Sequence, residues 1–424
     1  MLNLDMFRPV RGMKDLYGAD LAKYNYIIQK AIKVSTKYGY KQINTPVVEY
    51  TEVFQRSIGS ETDVVSKEMY TFIDKGGESI TLRPEGTAGV IRAIVSENLT
   101  QKLPLKLMYY GEMFRYDRPQ KGRYRQFRQL GFEHIGDKGP YVDALTIAMA
   151  SEILNSIGSF DFKILVNTLG DEETRENYTK AIVKFFSRHE NELSEESKAR
   201  LKKNPLRILD SKDSGDKEIC SMAPMITDYL SKESGKYFEE VCRLLNNFGL
   251  NYEIDSFLVR GLDYYSHVAF ELKSTANNYK DSLGGGGRYD KLLNMFGGPD
   301  VSGVGFAFGI ERLILTLENA NFFGEPKKTA VIPVSDEEND DALNLLKLLH
   351  NCDINAEFIC SGNLNKKMKI ANKLDCELAL IIGENERKDG TIMVKFMNSS
   401  ADNPKSKSVN YNQIVQFVKN NLHS

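Results

Sequence analysis

Between residues 105 and 135 two strand-like runs flank a short basic loop. LKLMYYGEMFRYD and QFRQLGFEHIG have the aliphatic and aromatic composition of strands, and the intervening RPQKGRYR is broken by Pro and Gly. Strands joined by so short a loop pair antiparallel, so this part of the chain is neither all-helical nor wholly parallel. Strand side chains alternate with period two, which puts Phe127, Gln129 and Glu133 on one face with Gly131 between them. On the first run Met113, Arg115 and Asp117 share a face. A core-facing strand would carry aliphatics there. This face instead offers an aromatic plate, an amide and a carboxylate beside a bare glycine, which suits a ligand site better than the alternative, a solvated sheet face.

The rest of the chain changes character around that hairpin. Residues 20–38 carry apolar positions at helical spacing. SITLR reads as a short strand, Pro-Glu-Gly as a break, and TAGVIRAIVSEN as a helix with Thr87 as its N-cap. Residues 172–249 are rich in Glu and Lys and read as a helical insertion. Residues 250–322 return to strand, Gly-rich loop, strand and helix. From residue 329 the pattern alternates: TAVIPV, NAEFIC and ELALIIG are short apolar strands separated by helical stretches, which predicts a small parallel α/β domain. The expected fold is α+β: a mixed, mainly antiparallel sheet with helices over 1–171 and 250–322, the insertion, and the α/β domain over 329–424.

The chain has 424 residues with a formal net charge of -2, so any RNA contact must come from local basic patches. Its five cysteines are scattered without a CxxC, which argues against a disulfide framework or a zinc site. The first residues lack the apolar core of a signal peptide, and no run of about eighteen apolar residues occurs. No membrane contact and a cytoplasmic location are expected.

Three more segments concentrate polar chemistry. The hairpin tip holds Arg118, Lys121, Arg123 and Arg125, guanidinium groups suited to nucleotide phosphates, to an RNA backbone, or simply to a solvated turn. LVRGLDYY places Arg260, Asp263, Tyr264 and Tyr265 in one octet, with Gly261 read as a bend and the strand starting near Tyr264. SLGGGGRYD has four consecutive glycines; it lacks the spacing of a dinucleotide or Walker loop and reads as a turn. In GVGFAFGIERLILTL small residues alternate with large ones, and a helix begins near Glu311. Arg312 then sits in a first helical turn, where a cation opposes the helix dipole unless an anionic or aromatic partner requires it.

In this order the segments resemble class II aminoacyl-tRNA synthetases, and most closely the histidyl-tRNA synthetase family. RGMKDLYG (11–18) is similar to its opening segment. YKQINTPVVEYTEVF (40–54) is similar to motif 1, residues 110–136 to motif 2, and GVGFAFGIERL (303–313) to motif 3. LVRGLDYY and the GGGGRYD region resemble two histidine-specific signatures, and the C-terminal segment resembles the anticodon-binding domain. Three departures stand out: Asp117 where motif 2 usually has Glu, Met13 for a common Thr, and Ser302 for a common Pro.

The resemblance implies ATP-dependent activation of L-histidine and its transfer to tRNA(His), with Mg2+ on the pyrophosphate oxygens and a homodimer built through motif 1. It further implies that Arg115 and Arg260 are catalytic, holding the α-phosphate and neutralising its growing charge. Glu85, Thr87 and Gln129 would grip the α-amino group, while Glu133 and Tyr265 would read the imidazole and Tyr264 would line the same pocket. Phe127 would stack on adenine, Arg312 would cover its other face, Arg123 would bind the outer phosphates, and Gln120 would contact the tRNA acceptor end. Competing readings are a regulatory subunit of ATP phosphoribosyltransferase, a non-catalytic RNA-binding relative, and a synthetase for another amino acid. The first typically lacks LVRGLDYY and the C-terminal domain, both of which this chain keeps.

Overall fold

The computed structural model describes residues 7–59, 62–158, 161–259, 264–276, 279–317, 327–397 and 406–422. The chain divides into two compact units, Met1–Ala320 and Asn321–Ser424.

The first unit is built on an eight-stranded sheet. Its strands, in spatial order, are Lys41–Gln42, Leu105–Phe114, Gln126–Ile135, Gly303–Gly309, Ser282–Arg288, Ser266–Ser274, Phe162–Thr168 and Tyr252–Ile254. The inner pairings are antiparallel and both edge pairings are parallel. The expected hairpin pairs Tyr109 with Gly131 and Met113 with Phe127. Helix Gly18–Lys37 buries Ile27, Ile28, Ala31 and Val34, a single stripe at helical spacing. Helix Pro140–Ile157 opens on a proline, whose missing N–H costs nothing at that position, and is buried along most of its length. These helices join one face of the sheet in a core where Phe132 stacks on Phe306 at 4.8 Å.

The small–large alternation of Gly303–Gly309 now has its reason. Val304, Phe306 and Phe308 are buried on the core side. Gly305, Ala307 and Gly309 turn to the other side and pair with Glu133, Gly131 and Gln129. SLGGGGR is a strand and not the turn its composition suggests. A Cβ on Gly284 would lie 2.5 Å from the Ala307 carbonyl oxygen, and one on Gly287 would lie 2.5 Å from that of Val268. Backbone therefore presses on this strand from both neighbours, which leaves no room for a side chain at Gly284 or Gly287. A further three-stranded sheet, Val48–Tyr50, Ser79–Leu82 and Tyr70–Ile73, includes three residues of the 40–54 stretch.

Two hydrophobic cores divide residues 172–249. Tyr178, Ile182, Phe186, Ile208 and Ile219 form a separate cluster. The last helix, Lys232–Asn247, instead buries Phe238, Val241 and Leu245 in the main core.

The second unit is a five-stranded sheet in the order Ala356–Phe358, Lys328–Pro333, Cys376–Ile382, Thr391–Phe396, Ser406–Asn410. The first three strands are parallel, as the alternating pattern predicts. The last two are antiparallel, so this sheet is mixed rather than wholly parallel.

Candidate active site

Above the small-residue face of the large sheet lies a cavity of about 460 Å³. Nine of the twelve site residues expected from the sequence line it: Glu85, Thr87, Arg115, Arg123, Phe127, Gln129, Tyr264, Tyr265 and Arg312. Gly284, Gly285, Gly305, Ala307 and Gly309 make up its floor. The glycine strand is thus part of the base of the site.

The cations are held by backbone carbonyls. Arg115 donates from Nε to the Pro84 oxygen at 2.9 Å, and its guanidinium carbon stands 5.4 Å from the Phe127 ring centroid. Burial lowers its pKa while Glu68 and Glu85 oppose that shift; Arg312 is close enough to add to it. Arg312 donates to the carbonyls of Gly122 (3.3 Å) and Ser282 (2.8 Å), so the first-turn arginine is clamped across the cavity mouth. Arg123 lies 3.6 Å from Asp117, whose shorter arm also accepts the Arg118 N–H at 2.6 Å.

The acidic residues lie deeper. Thr87 does not cap its helix; it is the first residue of Thr87–Ser96. The Glu85 carboxylate takes that role, accepting the N–H groups of Thr87 (2.6 Å) and Ala88 (2.8 Å). This frees the Thr87 hydroxyl to donate to Glu133 at 2.7 Å. The other Glu133 oxygen accepts the Tyr289 hydroxyl. Burial pushes the Glu133 carboxyl up to about 8, against the lowering pull of Tyr289 and Thr87. Glu133 is therefore not on the cavity wall but directly behind it, 1 % exposed.

The space beside Gly131 is also occupied. The ring of Tyr109, its cross-strand partner, lies over both Gly86 and Gly131. The bare glycine makes room for a protein phenol and not for the ligand itself. The Tyr109 hydroxyl, Gln129 Oε1 and Arg123 Nε are buried atoms with no hydrogen-bond partner. Proteins satisfy nearly all such atoms, so a set of them on one cavity marks a place for a polar guest.

One expected site residue, Gln120, does not line the cavity. Gln120 is exposed on the hairpin tip, joined to Arg123 only by backbone hydrogen bonds. Arg260 lies outside the described residues. Sequence reasoning missed Tyr109 and Tyr289, and also Arg207, Asp210 and Lys212, through which residues 172–249 reach the cavity. An aromatic directly opposite a strand glycine was the available signal for Tyr109.

The family model for histidyl-tRNA synthetase matches residues 12–313, and that for an anticodon binding domain matches 328–421. The chain belongs to the histidyl-tRNA synthetase family. The Histidine--tRNA ligase of Rhodospirillum rubrum is 44% identical over 92% of this chain and 94% of its own length. That of Listeria monocytogenes is 42% identical over 92% and 93%. The structure of apo S. aureus histidyl-tRNA synthetase superposes with a TM-score of 0.81 at 36% identity, covering 98% of this chain and all of that one. No helix among the described residues is long and apolar enough to cross a membrane.

Proposed function

We propose that this protein is a histidine–tRNA ligase, which joins L-histidine to ATP as histidyl-adenylate and then passes the acyl group to the 3′ end of tRNA(His). One observation carries the reading. Partnerless buried polar atoms, two clamped guanidinium groups and a carboxyl–phenol cluster all meet at a single cavity. Relatives bearing that name at over 40% identity across nearly the full chain support it.

Gln129 Oε1 accepts from the substrate ammonium group, beside Glu85 and Thr87. Tyr264, Tyr265 and the Glu133 carboxyl behind them read the imidazole, a ring that both donates and accepts hydrogen bonds. Adenine stacks on the Phe127 face that Arg115 leaves open, with Arg312 across from it and Arg123 on the outer phosphates. Arg115 holds the α-phosphate oxygens while the histidine carboxylate attacks in line and pyrophosphate leaves. Arg260, which follows the cavity-lining Val259, supplies further positive charge as the α-phosphate becomes more negative. The rate gain comes from positioning and fixed cations, with no covalent enzyme intermediate.

Among the described residues no cluster of three metal-ligating side chains exists. A nucleotide-bound Mg2+ needs only one or two carboxylates besides phosphate oxygens, and Glu271 and Asp281 line the same cavity. They are the residues that would hold it, and it would screen the pyrophosphate charge.

The exposed Gln120 contacts the acceptor end, and the C-terminal unit receives the anticodon stem. A homodimer fits the exposed Val47, Val48, Tyr50, Phe72 and Ile73 on or beside the three-stranded sheet. A cytoplasmic location belongs to the same reading. ATP–pyrophosphate exchange with each of the twenty amino acids tests the proposal. Exchange should depend on histidine alone. Exchange with a different amino acid, or with none, would refute it.

A further inference from the structure

Tyr264 and Tyr265 precede the strand Ser266–Ser274, and the stretch that launches the helical insertion holds them in place. His267 has a φ of 45°, a left-handed backbone that a side-chain-bearing residue keeps only when its surroundings impose it. Those surroundings are residues 167–175. The Leu169 N–H donates to the His267 carbonyl at 2.5 Å, and the His267 N–H donates to that of Gly170 at 3.0 Å. Arg175 Nη1 donates to the Tyr265 carbonyl at 3.2 Å. On the other flank of the LVRGLDYY segment, the buried Asn167 amide donates to the Leu258 carbonyl at 3.0 Å.

The root of the insertion is itself closed. Asp171 accepts the Ser231 hydroxyl at 2.5 Å, and the Ser231 N–H donates to Thr174 Oγ1 at 2.9 Å, so the entering and leaving chains are tied together. Between this root and Val259 lies a cavity of about 30 Å³ that Asn167, Leu169 and Arg175 help to line. Arg175 also sits in the first turn of helix Glu172–Arg188, after Glu172 and Glu173. A cation there opposes the helix dipole, so the position calls for another reason, and the Tyr265 carbonyl supplies one.

We infer that Arg175 is a positioning residue for the amino-acid pocket, fixing the imidazole-reading tyrosines through the Tyr265 carbonyl and coupling the insertion to histidine binding. The inference rests on the ligase reading. Its test is exchange kinetics on the full-length chain with Arg175→Ala, Arg175→Lys and, as a neighbouring control at an exposed position, Glu173→Ala. Arg175→Ala should raise the histidine KM about tenfold, the scale of losing a charged donor to a buried carbonyl, with the ATP KM within about twofold. Arg175→Lys should recover part of that loss, and Glu173→Ala should match wild type. An unchanged histidine KM in Arg175→Ala, or histidine and ATP KM values rising together, would overturn the inference. If Arg175→Ala does not fold, Arg175→Lys decides on the same split. A wild-type protein that shows no exchange with histidine refutes the ligase reading instead.

Discussion

Two buried strands, Ser282–Arg288 and Cys376–Ile382, solve the same problem in opposite ways. The second, in the C-terminal unit, fills its surroundings with Leu378, Leu380 and Ile382. The first is as deeply buried but carries four glycines. Its neighbours' backbones close in on one side, and a polar cavity opens over the other. A strand that gives up its own side chains gives up packing energy, and the gain is a floor on which ligand-sized volume can lie. Buried atoms without partners at Tyr109, Gln129 and Arg123 line the same cavity, so one place combines low packing with unspent hydrogen-bonding capacity.

This contrast can be broken at either strand. Gly286→Ala should have the largest effect, since its Cβ would meet the Phe306 Cα at 2.6 Å. More than about 3 kcal/mol of stability, or the fold of the first unit, should be lost in thermal unfolding. A well-folded variant would contradict the crowding argument. Leu380→Ala should cost about 2–5 kcal/mol through an unfilled cavity in the C-terminal core. Histidine-dependent exchange should nonetheless survive at temperatures where the variant is folded. Arg115→Ala should spare the fold but lower kcat/KM for exchange by about 10² to 10³, the scale of removing a fixed donor from a developing anion.

Glu133→Gln is the mildest change. It should raise the histidine KM by roughly tenfold while the ATP KM stays put. Its stability signature depends on pH. With the folded-state pKa raised from 4.5 to about 8, the folded protein keeps a proton that the unfolded chain releases. The contribution is complete below pH 4.5 and is lost as the pH rises through 8. Denaturant titrations should show the stability of wild type relative to Glu133→Gln falling from about pH 5 to about pH 8. A flat difference would mean that the carboxyl titrates normally.

Features written as side-chain periodicity were legible in the sequence. The stripe of Phe127, Gln129 and Glu133, the helix Gly18–Lys37 and the small–large alternation of Gly303–Gly309 all follow from one-residue rules of alternation or helical spacing. Features set by a distant neighbour were not. Four glycines carry no period, so the strand 282–288 is visible only once both flanking strands are in place. Tyr109 filling the gap at Gly131 depends on register across the hairpin. Thr87 matched an N-cap by type, yet Glu85 reaches the same N–H groups and releases Thr87 to bind Glu133. The strand Ser406–Asn410 was not legible because its exposed polar positions dilute the apolar pattern.

The most direct test of the central claim is a crystal structure of the protein with a non-hydrolysable histidyl-adenylate analogue. The account predicts the analogue on the glycine floor, its ammonium group bonded to Gln129 Oε1, its phosphate mimic at Arg115 and its purine beside Phe127. An analogue bound away from that floor, with Gln129 Oε1 and the Tyr109 hydroxyl still lacking partners, would contradict it.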